Sequence, residues 1–479
     1  MNQPNILWIC TDQQRFDTLG CTGNPYVKTP NIDALAAQSA HFDRAFVQSP
    51  VCMPSRASFL TGRYPRTTRL RQNGQVIPDD EVPISRLLAD AGYHCGLVGK
   101  FHLAPSDPKI NATIEARIND GYSEFCWAGD PQDLWGLHSG YTAYLAEKGL
   151  KFETRPHPKS RFVDIGMPEE HHETTWCAER AIEFIQRQAK GPAPWMFSLN
   201  MFAPHHPFNP PAPYLERYME MLDDIPLPDA LDDDLSTKPP YQSHDAEGAY
   251  GHTFEYSKHI SPTDHRMIRA AYWAMCDLVD AKVGAILAAL EASGQSDNTI
   301  VIFMSDHGEM LGDHGIYLKG PYFYEPAIRV PLMLRLPGRI LPKRYSDLIE
   351  MVDLAPSLLE ACDIDRYNGM QGRSLWPLMN GKIEEGTHRD DIYCEYYNAM
   401  PFHDNPTAQL TMLRTDQHRL VVDHANDTGE LYDLKADPSE VRNLWSDTAS
   451  MSTKVRMLER LTHRMAFTAD PLPPRLTEW

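Results

Sequence analysis

The sequence predicts an α/β protein, a sheet covered by helices, followed by a small C-terminal α+β subdomain. Three observations predict it. Short apolar runs alternate with amphipathic stretches; polar residues suited to chemistry follow several of the apolar runs; and beyond residue 375 the rhythm changes to closely spaced strand-like segments. Residues 5–10, Asn-Ile-Leu-Trp-Ile-Cys, have the length and composition of a buried strand. Thr29-Pro30-Asn31 offers an N-cap with proline at the first helical position, and Ile32, Leu35 and Ala36 keep helical spacing. Pro54 and Ser55 suit a second helix start, Ala57 to Thr61 continue it, and Gly62 stands where a C-terminal glycine belongs, so Cys52 is expected just ahead of this helix. Residues 85–91 read as a short helix ended by Gly92, and residues 93–98 as the next strand. A helix over 175–188, with Trp176, Ala181, Ile182 and Ile185 on one face, leads into a strand over 195–202. A helix over 265–290 carries a stripe of Ile268, Tyr272, Met275, Val279, Val283, Ile286 and Leu290, and a strand over 300–304 follows.

Two segments, 105–170 and 209–263, break this rhythm and read as irregular insertions that build binding surfaces. We therefore expect a catalytic domain over 1–375 and a subdomain over 376–479, with strands at 391–395, 410–414, 419–422 and 430–434 and a helix at 453–465. Within the subdomain Tyr396, Tyr397, His403 and Arg414 are candidates to line a pocket. The tail 471–479 carries leucine and tryptophan that gain by burial, which predicts docking on a second copy and hence a homo-oligomer.

Composition narrows the function. Lys+Arg 45 against Asp+Glu 65 leaves a net charge of −20 over 479 residues, which argues against a nucleic-acid partner. No run of about 18 apolar residues marks a membrane span, and the N-terminus lacks the basic region and cleavage site of a secretion signal, so the expectation is a cytoplasmic protein. Nine cysteines without CxxC spacing suit a reduced compartment and give no disulfide or zinc framework. His172-Glu173-Thr174-Thr175-Trp176 lacks the second histidine of a zinc-protease helix and reads as a helix start.

The informative residues are those after the strands: Asp12 and Gln13, Lys100 and His102, His205, then Asp306 and His307. Ligands of open α/β sheets bind beyond the carboxyl ends of the strands, so these groups can converge. Asp12, Gln13 and Asp306 offer hard oxygen ligands for Ca²⁺ or Mg²⁺, while the nitrogen of His307 suits Mn²⁺ or a transition metal. Taken singly, each aspartate is equally a strand-end cap, and Lys100, His102, His205 and Lys319 are ordinary loop residues. Cys52 beside a helix N-terminus, with Arg56 one turn on, would meet an environment that favours an oxyanion. A cysteine-phosphatase loop is excluded, because Ser58 stands where its arginine would be needed.

Cys52-x-Pro54-x-Arg56 with the following Ser-x-x-x-Thr-Gly resembles the signature of type I sulfatases, in the alkaline phosphatase superfamily. Asp12-Gln13, Thr29 through Asp33, Gly99-Lys100-x-His102, Pro204-His205, Ser305 through Glu309 with Lys319, and Glu430 through Pro438 fall in the family's order, so the resemblance covers most of residues 4–445. It implies a large mixed sheet sandwiched by helices, and a sulfatase acting on a sugar, alkyl or aryl sulfate ester. It further implies that Cys52 is converted to formylglycine by a formylglycine-generating enzyme, the hydrate then acting as nucleophile. Asp12, Gln13, Asp306, His307 and the oxygen of the modified Cys52 would hold a divalent metal, calcium foremost with manganese and magnesium as alternatives. Arg56 and Lys100 would orient the hydrate, His102 would act as base in releasing sulfate, and His205 and Lys319 would bind sulfate oxygens and assist the leaving group. Asn73 is a candidate substrate contact. Two positions depart from the usual pattern: Gln13 replaces an aspartate, and His307 stands where many members carry asparagine. Both resemble the phosphonate monoester hydrolases, whereas Lys100-x-His102 is the sulfatase form, so the sulfate reading leads and the phosphonate reading is the alternative.

Overall fold

The computed structural model describes residues 3–132, 136–252, 254–255, 257–403, 405–471 and 477; residues 472–476 and 478–479 of the expected docking tail lie outside these. The strands in chain order are β1 (Asn5–Thr11), β2 (Ala40–Phe46), β3 (His94–Gly99), β4 (Glu124–Trp127), β5 (Arg155–His157), β6 (Ser160–Ile165), β7 (Trp195–Met201) and β8 (Thr299–Ser305). They continue with β9 (Arg329–Val330), β10 (Leu332–Arg335), β11 (Lys343–Glu350), β12 (Ile392–Tyr397), β13 (Gln409–Arg414), β14 (His418–Asp423) and β15 (Thr428–Asp433). Nine of them form one sheet, ordered β11-β2-β10-β8-β1-β7-β3-β4 with β9 also on β2. The strands from β8 through β1, β7 and β3 to β4 run parallel, while β10 is antiparallel to both of its neighbours, which makes the sheet mixed.

The register of the parallel strands fixes the level of the site. Thr11 pairs with Met201 on one side and Ser305 on the other, and Gly99 pairs with Asn200. Four strands therefore end together, and the residues that follow them share one rim. Alternation along β1 explains why it reads as a continuous apolar run: Ile6, Trp8 and Cys10 enter one core, Leu7 and Ile9 the other. The first core receives Met53, Ala57 and Phe59 of the helix Cys52–Thr61 and Leu354 and Leu358 of Leu354–Ala361. The second is built with the helices Glu173–Gln188 and Pro262–Ala292, through Trp176, Phe184, Ile268, Met275 and Val279. The long helix begins three residues before its predicted start, because Ser261 caps it by accepting from the Asp264 N–H (3.1 Å) and Pro262 takes the first turn.

The C-terminal strands form a meander, β12-β13-β14-β15. One face, with Cys394, Tyr396, Met412 and Val421, joins the first core, and the other, with Tyr393, Leu413, Leu420 and Leu431, is covered by Met457 and Leu461 of the helix Met451–Phe467. The expected irregular insertions are more ordered than their sequence suggests. The first contains β4, the β5-β6 hairpin and the helix Gly140–Glu147; the second contains Ala212–Met219 and Pro240–His252, the latter kinked at Gly248, Ala249, Tyr250 and Gly251. All nine cysteines are free thiols. Among the described residues no helix is long and apolar enough to cross a membrane.

Gly99 closes β3 at φ +91°, and a Cβ there would stand 1.9 Å from the carbonyl oxygen of Asn200, which accepts from the Lys100 N–H at 3.1 Å. A Gly99→Ala protein is expected to lose about 2–4 kcal/mol, from left-handed strain plus overlap with rigid backbone. A lowered thermal midpoint checks this; an unchanged one would show that the strand end can relax around the methyl group.

Candidate active site

The rim collects its residues from separate elements. Asp12 and Gln13 follow β1, with Gln13 at φ +67°; Lys100 and His102 follow β3; His205 follows β7; Asp306 and His307 follow β8. The loop after Glu309 returns Lys319, 2% exposed, to the same place. Cys52 comes from the opposite direction, as the first residue of the helix Cys52–Thr61. This corrects the expectation that it lies just ahead of the helix. Pro54 takes the third helical position, whose N–H has no intrahelical partner in any case.

Five polar groups surround the Cys52 sulfur. Lys319 Nζ is at 3.0 Å, His307 Nε2 at 3.1 Å, Lys100 Nζ at 3.6 Å and Asp12 Oδ1 at 3.9 Å, and the His102 ring is a further polar neighbour. Beneath them Arg56 donates through Nε to Asp306 Oδ2 (2.9 Å), through Nη2 to Asp12 Oδ2 (3.3 Å) and through Nη1 to the Lys100 carbonyl (2.8 Å). Lys100 Nζ donates to Asp12 Oδ2. Asp306 Oδ1 accepts the backbone N–H groups of Gln13 (3.0 Å) and His307 (2.9 Å). The Gln13 amide donates to Glu309 and accepts from Lys319 Nζ (2.8 Å). Lys319 also meets His205 Nε2 at 3.1 Å. Asn73 lies beside the helix start, where its side-chain oxygen accepts the Met53 N–H at 3.1 Å.

The electrostatics follow from this packing. Burial opposes ionisation of Asp12, but the cations beside it, Lys100 foremost with Lys319 and Arg56, outweigh it and hold the carboxyl well below the usual range. Asp306 is pushed up by burial and by the charge of Asp12, with His307 and Arg56 acting against that rise. Burial and Asp12 also resist a Cys52 thiolate, yet Lys100, Lys319 and His307 lower its pKa well below that of a free thiol. Burial and Lys100 lower His102 to about 4, and burial with Lys319 and His206 lowers His205 well below the usual value. Both imidazoles are therefore neutral near pH 7.

Asp12, Cys52, Asp306 and His307 each turn one ligand atom into the same space, all within 4.8 Å of one another and all buried. The donor set fits a divalent cation. Two carboxylates supply hard oxygen, and the Nδ1–H of His307 donates to the Gly308 carbonyl at 2.8 Å, which turns Nε2 into the cluster, 3.1 Å from the Cys52 sulfur and from Lys319 Nζ. Gln13 stands beside this group with its amide engaged by Lys319 and Glu309. Glu309 is the residue sequence reasoning gave no role, although it lies in the Ser305–Glu309 motif; its carboxylate also accepts the N–H groups of Leu311 (2.9 Å) and Leu318, and so folds the loop that delivers Lys319. Of the subdomain residues expected to line a pocket, Tyr396 and His403 are buried and bonded to each other (2.7 Å), with His403 bonded on to Asp245 (2.9 Å); Arg414 pairs with Glu325 (2.7 Å), and Tyr397 lies beneath Arg71. His172 caps the helix Glu173–Gln188, as read from the sequence.

Comparison with known proteins agrees with this geometry. A family model described as sulfatase matches residues 4–364, and one described as N-sulphoglucosamine sulphohydrolase, C-terminal, matches 312–466. The chain is 28% identical to the sulfatase YidJ of Escherichia coli over 489 aligned residues, covering 100% of this chain and 90% of that one. It is 31% identical to iduronate 2-sulfatase of Mus musculus over 391 aligned residues, covering 74% of this chain and 68% of that one. The phosphonate monoester hydrolase of Agrobacterium radiobacter superposes with a TM-score of 0.83 at 27% identity, covering 99% of this chain and 98% of the other. A hydrolase with a buried metal-ligating cluster at the rim of its central sheet, the chain belongs to the type I sulfatases of the alkaline phosphatase superfamily and is structurally close to the phosphonate monoester hydrolases.

Proposed function

We propose that the chain hydrolyses a sulfate ester of a sugar, alkyl or aryl alcohol at residue 52. The observation that carries this reading is the ring of Lys319, His307, Lys100 and Asp12 within 3.9 Å of the Cys52 sulfur. A formylglycine made from Cys52 by a formylglycine-generating enzyme would supply, as its hydrate, the hydroxyl nucleophile for sulfur and the second hydroxyl needed to release sulfate. A divalent ion, calcium foremost with manganese or magnesium as alternatives, would be held by Asp12, Gln13, Asp306, His307 and the residue-52 oxygen and would supply positive charge to the sulfuryl oxygens.

The side chains divide the remaining work. Lys100 and Lys319 face the sulfuryl oxygens, where fixed cations stabilise the charge that builds up in the transition state. Lys319 Nζ and His205 Nε2, 3.1 Å apart, hold one proton between ammonium and neutral imidazole, available to the leaving oxygen. His102, neutral because its pKa falls to about 4, takes a proton from residue 52 as sulfate departs. Arg56 acts through the two aspartates and the Lys100 carbonyl, which it holds in place.

A phosphonate monoester or phosphodiester substrate is the second reading, favoured by Gln13 and by the likeness to the Agrobacterium radiobacter hydrolase. The kcat/KM ratio for an aryl sulfate and an aryl phosphonate monoester sharing one leaving group decides between them, since incomplete maturation of Cys52 cancels. We expect a ratio well above one; a ratio well below one reverses the assignment. Cys52→Ala should keep the wild-type melting profile and lose turnover entirely, and residual turnover at the wild-type rate would rule out residue 52 as nucleophile. Elemental analysis should find about one divalent ion per chain; Asp306→Ala and His307→Ala should reduce that content, and full retention by both would place the metal elsewhere.

A further inference from the structure

Glu115 lies in the first insertion, outside any helix or strand, yet is only 1% exposed. Its Oε2 accepts the His102 N–H at 2.8 Å and the Trp127 indole N–H at 2.9 Å, and its Oε1 accepts the Leu103 N–H at 3.0 Å. Two successive backbone N–H groups thus converge on one carboxylate. This is the arrangement in which an anion stabilises a left-handed residue, and His102 has φ +60°. The flanking backbone is held by other parts of the site: the Lys100 N–H donates to Asn200 (3.1 Å), Arg56 donates to the Lys100 carbonyl (2.8 Å) and the Leu103 carbonyl accepts from Ile77 (2.9 Å). The His102 ring meets the Cys52 sulfur, while its Nδ1 is buried without a hydrogen-bond partner among the described residues. Where the imidazole stands over residue 52 therefore depends on the backbone conformation beneath it.

We infer that Glu115 is a positioning residue for the reaction, holding the left-handed turn that aims His102 at residue 52; this rests on the role proposed for His102 above. The hydrogen bonds of Glu115 go to the His102 and Leu103 N–H groups and to Trp127, not to residue 52 or the metal-ligating cluster; its charge also reaches Arg56, and the double variant below separates that influence from the route through His102. If His102 takes the proton as sulfate leaves, loss of the clamp slows that half of the cycle and spares the first.

Glu115→Gln tests this. Its amide offers one acceptor oxygen in place of two and turns an NH₂ toward a backbone donor, so the pair of N–H groups cannot both be satisfied. We expect steady-state kcat on an aryl sulfate to fall by roughly 10–100-fold, the scale of a misplaced catalytic group. The pre-steady-state burst of leaving group should keep its wild-type rate constant. In a His102→Ala background, Glu115→Gln should cause no further loss, the non-additivity expected of a residue acting through another. Should Glu115→Gln fold poorly, Glu115→Asp, which keeps both oxygens on a shorter arm, should show a smaller fall in kcat with the same intact burst. Wild-type kcat in Glu115→Gln, a burst slowed as much as turnover, or a loss that adds in full to His102→Ala overturns the inference. A His102→Ala enzyme with undiminished kcat would instead remove the role of His102 itself, and with it the ground for Glu115.

Discussion

Two carboxylates of like charge, Asp12 and Asp306, stand side by side without solvent access, and the site is organised around balancing them. An uncompensated buried charge costs several kcal/mol, so neither position is tenable alone. Arg56 bridges the pair with a forked guanidinium, and Lys100 closes on Asp12 from the side. Arg56 lies one turn along the helix that begins at Cys52. The counter-ion for the aspartates and the residue to be modified are thus rigidly linked, and the helix cannot shift without breaking both ion pairs. A divalent cation among the same ligands would complete the balance that the arginine begins.

Gln13 alters this balance in a specific way. As an amide it can donate to Glu309 and accept from Lys319 at once, which a carboxylate could not do. Glu309 uses its other oxygen on the Leu311 and Leu318 N–H groups, so one chain of hydrogen bonds runs from the end of β1 through Glu309 to the turn that presents Lys319. Outside this shell a second buried chain, Tyr396 to His403 to Asp245, ties the C-terminal meander to the second insertion. The elements that carry the outer wall are thereby fastened to each other as well as to the core.

The parts of the fold legible in the sequence are those whose burial is uniform. β1, β7 and β8 are buried along their whole length, so apolar residues dominate each and the strand reads as a nearly continuous run. β2 escaped notice because His41, Asp43 and Arg44 interrupt it, and only its partners β10, β11 and β9 make it a strand. β11 opens with exposed Lys343 and Arg344 and gives no apolar signal there. In the site, Asp12, Lys100, His205, Asp306 and His307 were legible because they follow strands, and Cys52 and Arg56 because their spacing resembles a known signature. Glu115 had no such marker. It lies in an aperiodic stretch, and its importance comes only from a backbone turn 13 residues upstream that no local pattern announces.

By itself the sequence determined the kind of protein this is: an α/β sheet with chemistry at its strand ends, a cysteine at a helix start and the family these residues resemble. Those features are local, set by the burial period of strands and helices and by the fixed spacing of groups within one turn. The tertiary structure decided which groups share a charge and which way they face. Gln13 turns to Glu309 and Lys319, Asn73 turns to the helix that carries Cys52, and His102 is bent into a left-handed turn over Glu115. Such choices depend on hydrogen-bond partners far apart along the chain, and they are settled only when desolvation makes every buried donor and acceptor find one.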